Sequence, residues 1–99
     1  MATHRHELQV PPQAASDREA FEILRIWISG GQQHVTLNPG VWDDPAVWGM
    51  MLVDLARHIA NAYQQTDRMQ SAATLERIKL GFDAEWSSPT DVASGSLLT

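Results

Sequence analysis

Apolar positions recur along this chain in two rhythms, and the change from one to the other divides it. Over residues 21–38 apolar and polar side chains alternate, whereas over 45–64 apolar ones return every three or four residues. A period of two marks a strand with one face buried, and a period near 3.6 marks an amphipathic helix. In the first stretch, Gly30-Gly31 offers the two positive φ values that a two-residue hairpin loop demands. Folding about that pair sets Ser29 against Gln32, Trp27 against His34, Ile26 against Val35 and Leu24 against Leu37. Leu24, Ile26, Ile28, Val35 and Leu37 then share one face, as a buried face requires. The other face carries Ile23, Arg25, Trp27, His34, Thr36 and Asn38.

The helical rhythm begins at a start signal. Asp44 can accept free backbone N–H groups, and Pro45 suits a first helical position, where its missing donor costs nothing. Trp48, Leu52, Leu55, Ile59 and Tyr63 form the apolar stripe, widened by Met51, Ala56 and Ala62. Asp54, Arg57, His58, Asn61 and Gln64 fall on the opposite side. After a polar break at Gln65-Thr66-Asp67, the spacing of Leu75, Ile78, Phe82 and Trp86 predicts a second helix over about residues 68–85. Ser87-Ser88-Pro89 ends it. Upstream, Leu8 and Val10 alternate with Glu7 and Gln9 in a brief strand-like pattern, which Pro11-Pro12 interrupts. Ser16 and Glu19 have capping-box spacing and predict at most one helical turn.

The order hairpin, long helix, second helix predicts an α+β fold. Its expected form is an antiparallel β-hairpin or three-stranded sheet covered by the long helix, with the second, C-terminal helix beside it. Residues 1–19 read as a lead-in, 20–86 as one domain, and 87–99 as a flexible tail, small and polar. Two strands alone are marginal in water. A third strand is therefore expected from residues 8–10 or from the hairpin of another copy of the chain.

Composition narrows the classes of function. Ninety-nine residues with a 43% hydrophobic share suit one domain with a modest core. Twelve acidic against seven basic residues give a net charge of −5, a poor match for nucleic acid or an anionic membrane. The chain has no cysteine, which removes disulfides, Cys-ligated metals and a thiol nucleophile and suits a reducing cytoplasm. The first residues lack the apolar core of a secretory signal, and the densest apolar run, 47–53, is too short to span a bilayer.

Several short motifs in order resemble a small proteobacterial family, domain of unknown function 5076. They are the run Phe21-Glu22-Ile23-Leu24-Arg25-Ile26-Trp27-Ile28, the stretch Trp42-Asp43-Asp44-Pro45-Ala46-Val47-Trp48-Gly49, and Leu55-Ala56-Arg57-His58-Ile59-Ala60. Gly81-Phe82-Asp83-Ala84-Glu85-Trp86 followed by Pro89-Thr90-Asp91 completes the set. The resemblance covers roughly residues 20–91. It implies a small domain of a bacterial cytoplasm and brings no catalytic or binding residues with it.

Candidate chemistry is sparse. Asp54 and His58 stand four apart on the long helix with Arg57 beside them, so an Asp-oriented histidine could act as a general base. The plainer reading is a solvated face with a local ion pair, because no nucleophile is placed nearby. Trp27 and His34, paired across the hairpin, could stack on a ligand or simply make a cross-strand pair. Together with Ile23 they form the candidate interaction surface. Trp42 and Trp48 flank Asp43-Asp44 and read as a helix cap with packed aromatics. If Met1 is removed, Ala2-Thr3-His4 could chelate Cu(II) or Ni(II) through its amine, two deprotonated amides and the imidazole of His4. The pattern as a whole predicts a non-enzymatic, self-associating or protein-interaction module, with a homodimer as partner and no cofactor. The alternative is a small ligand binder or enzyme using Asp54, Arg57 and His58.

Overall fold

The computed structural model describes residues 4–90 and the short strand Ser96–Leu97. The elements are α1 (Pro12–Ala15), β1 (Leu24–Ser29), β2 (Gln32–Leu37), α2 (Ala46–Gln65), α3 (Ser71–Ser87) and β3 (Ser96–Leu97). The class is α+β: an antiparallel hairpin followed by two long helices packed together.

The hairpin has the register its alternation predicts, with Leu24 paired to Leu37, Trp27 to His34 and Ser29 to Gln32. Gly30 and Gly31 carry φ values of 62° and 73°, the left-handed pair that lets the loop follow the twist of the strands. The third strand comes from neither expected source. Ser96 and Leu97 pair in parallel with Thr36 and Leu37, so β2 is central and β1 forms an edge. The rest of the stretch after Thr90 lies outside the described residues.

Asp44 starts α2 as expected: its Oδ1 accepts the Ala46 N–H at 3.0 Å. The far end closes in a Schellman motif. The Arg68 N–H donates to the Tyr63 carbonyl at 2.9 Å and the Asp67 N–H to the Gln64 carbonyl at 3.1 Å, with Asp67 left-handed at φ 56°. Arg68 then lies over the Tyr63 ring, 5.5 Å from its centre. The second helix begins three residues later than the apolar spacing suggests. Its first amide, Ser71 N–H, is capped at 2.9 Å by Oε1 of Gln64, so α2 itself fixes where α3 begins.

A five-residue link turns α3 back on α2 as a helical hairpin. The contact is made by small side chains: Ala60 on α2 is 1% exposed and Thr74 on α3 is 3% exposed. The periodicity places α2 over the apolar face of the strands, but the structure places it on α3. No Cα of β1 or β2 comes within 8 Å of either long helix. The short link and the small residues favour the neighbouring helix. As a result Ile26 and Ile28 stay 46% and 72% exposed, and Leu52, Leu55, Ile59 and Tyr63 keep more than a third of their surface open.

Two further readings change near the N-terminus. Pro12 begins a helical turn instead of blocking one, because a proline at the first position of a helix gives up only a donor that would be unpaired there. Ser16 closes that turn instead of opening another: its Oγ donates to the Gln13 carbonyl, and the Glu19 N–H turns to Asp17. The capping box is therefore not formed.

Candidate functional site

A groove of about 580 Å³ runs along β1. Leu24, Arg25, Ile26 and Trp27 line it, four successive residues from both faces of the strand, and no residue of β2 does. The groove therefore follows the free edge of β1. Leu8, Val10 and Phe21 form its other wall, 91%, 61% and 67% exposed.

Hydrogen bonding identifies what this edge presents. The Asn38 N–H donates to the Ile23 carbonyl at 3.0 Å, making Ile23 and Asn38 a bonded pair. Bonded pairs alternate along an antiparallel ladder. Arg25, Trp27 and Ser29 thus turn their backbone groups towards β2, and Leu24, Ile26 and Ile28 turn theirs outward. No other described strand takes these outward groups.

Arg25 is the charged centre of the groove. Its guanidinium binds the Glu7 carboxylate and meets Glu22 at 3.0 Å. The hydrogen bond that Arg25 donates to Glu22 is the main cause that raises the Arg25 pKa above its already high value; Glu7 adds to it and burial opposes it. An arginine so held is a fixed cation that exchanges no proton in catalysis. The His4 ring meets Trp27 edge-on, with centroids 4.8 Å apart. The N-terminal segment thus lies against the Arg25 and Trp27 face. The alternation of Leu8 and Val10 signalled a segment near the sheet but not that it would wall a groove.

The residues singled out from sequence fall in separate places. Ile23 and Trp27 are half-buried on β1 and its approach, and His34 is exposed opposite Trp27, its Nε2 3.3 Å from the Ser29 carbonyl oxygen. On α2, Arg57 reaches Asp54 at 3.4 Å with both side chains well exposed, while His58 makes no hydrogen bond or ion pair among the described residues. Asp54 therefore pairs with Arg57 and does not orient His58. Trp42 and Trp48 pack edge to face at 5.0 Å beside the start of α2. Ala2 and Thr3 of the N-terminal copper motif lie outside the described residues. Among the described residues no cluster of three or more His, Asp or Glu could hold a metal ion, and no helix is long and apolar enough to cross a membrane.

The model of one family, Domain of unknown function (DUF5076), matches residues 7–90. The chain belongs to this family. The match takes in the groove wall, the hairpin and both long helices. Among solved structures, the chain is similar to one described as "a putative pyruvate dehydrogenase from the photosynthetic bacterium Rhodopseudomonas palustrus CGA009". The two are 33% identical, with a TM-score of 0.72 over 99% of this chain and 100% of that one. No curated protein matches the chain.

Proposed function

We propose that this chain is a non-enzymatic, self-associating module whose working form is a homodimer in a bacterial cytoplasm. The carrying observation is its surface. The chain exposes 8924 Å². A compact monomer of its mass exposes about 5,600 Å². Allowing the residues outside the described set the full area of extended chain, about 160 Å² each, still leaves an excess of about 1,700 Å². Two such protomers hold about 3,400 Å² to hide, within the range of obligate interfaces. The radius of gyration, 15.5 Å, also exceeds the roughly 13 Å of a compact chain this long.

The dehydrogenase named for the similar structure is not carried over. The charged groups of the groove are an arginine and two carboxylates already spent on one another, and the polar residues of α2 do not converge. Light scattering after gel filtration tests the proposal. At micromolar concentration it should report about twice the 11.0 kDa chain mass. A monomer across the accessible concentration range overturns the reading.

A further inference from the structure

We infer, building on the self-association proposed above, that the second copy docks by adding its own β1 antiparallel to the free edge of β1, with the two-fold axis at Ile26. The edge offers the outward N–H and C=O groups of Leu24, Ile26 and Ile28. Centring the pair on Ile26 makes Ile26 meet its own counterpart and Leu24 meet the partner's Ile28. All three open residues then form bonded pairs in both copies; any shift along the strand leaves at least one unpaired.

Side chains agree with this register. In an antiparallel bonded pair the two side chains lie on the same face. Pairing therefore joins Leu24, Ile26 and Ile28 of each copy into one stripe, and Ile26 and Ile28 are at present 46% and 72% exposed. On the opposite face the same register sets Arg25, held by Glu7 and Glu22, beside the partner's Trp27. The edge carries no lysine or proline, the residues that block such additions. The groove along it supplies room, and Leu8, Val10 and Phe21 supply apolar walls for the incoming strand. This is strand addition, with main-chain bonds for affinity and side-chain pockets for register.

The chain has no cysteine, so a single introduced thiol reports without background. In the full chain, Ile26→Cys places the two thiols on the axis, with Cα atoms about 5.5 Å apart, inside the range a disulfide spans. Ile28→Cys places its two about four residues apart along the strands, roughly 14 Å, too far to bridge. Mild oxidation should give a disulfide-linked dimer on a non-reducing gel for Ile26→Cys and none for Ile28→Cys. Ile26→Pro removes an outward donor and no bond to β2, so it should yield the monomer mass by light scattering with an unchanged circular dichroism spectrum. If the native chain is dimeric but Ile28→Cys bridges as readily as Ile26→Cys, or Ile26→Pro remains a dimer, edge pairing is wrong and self-association stands. If the native chain is monomeric, both fall.

Discussion

Asp67 is the residue whose replacement should raise stability. It sits left-handed, at φ 56°, where the Schellman motif needs such a conformation and where glycine is the usual occupant. An L-residue there costs roughly 1–2 kcal/mol, somewhat less for Asp. Its carboxylate also faces the negative end of α2, a repulsion of about 0.3–1 kcal/mol. No hydrogen bond or ion pair of that side chain would be lost among the described residues. Glycine removes both penalties but adds freedom to the unfolded chain, which returns about 0.4–1 kcal/mol. The net for Asp67→Gly is a gain of about 1 kcal/mol, or 4–8 °C in Tm for a domain this size. Asp67→Asn keeps the local fit and removes the charge, so it isolates the electrostatic part. Asp67→Ala removes the charge but keeps a Cβ and should fall about 1 kcal/mol below glycine. Thermal melts at one matched protein concentration test the series, since association couples Tm to concentration. An alanine variant that melts as high as the glycine variant would show that the strain at Asp67 is not there.

Ala60→Leu should cost roughly 1–3 kcal/mol, because Ala60 is 1% exposed against α3 and added atoms must force the helices apart; chemical denaturation reads the loss. Arg57→Ala on the same helix should change stability by no more than about 0.5 kcal/mol in that assay, since its pair with Asp54 is long and solvated.

The hairpin was legible because two independent signals coincide there. Gly30-Gly31 sets where the chain folds, and alternation then permits one register that gathers Leu24, Ile26, Ile28, Val35 and Leu37 on a face. The start of α2 was equally plain from Asp44 and Pro45. The partner of α2 was not. A stripe such as Leu52, Leu55, Ile59 and Tyr63 says that a face is apolar, not what covers it. The residues that decide the helix pair, Ala60 and Thr74, are small and lie beside the stripe. Nor does the sequence announce Asp67 as left-handed or Gln64 as a cap for α3, since both depend on geometry created by the turn itself. The groove escaped for a related reason: Leu8 and Val10 alternate as a strand would, yet serve as a wall.

The free edge and the exposed apolar face of β1 are two aspects of one strand. Along β1, side chains alternate between faces at the same step at which backbone groups alternate between edges. The residues whose outward groups are unpaired among the described residues, Leu24, Ile26 and Ile28, are therefore the ones whose side chains share the open face. A strand added at that edge satisfies the backbone and doubles the apolar stripe at once, and Val35 and Leu37 of each copy extend it. That origin fixes how salt should act. Each protomer carries a net charge of −5, so the two repel. At 1 M salt the screening length is only about 3 Å, which removes the repulsion and leaves hydrogen bonds and apolar contacts intact. Dimer affinity should hold or tighten between 0.1 M and 1 M sodium chloride, measured by sedimentation equilibrium. Dissociation at high salt would mean that ion pairs such as those of Arg25 hold the copies together, and the strand edge would lose its role.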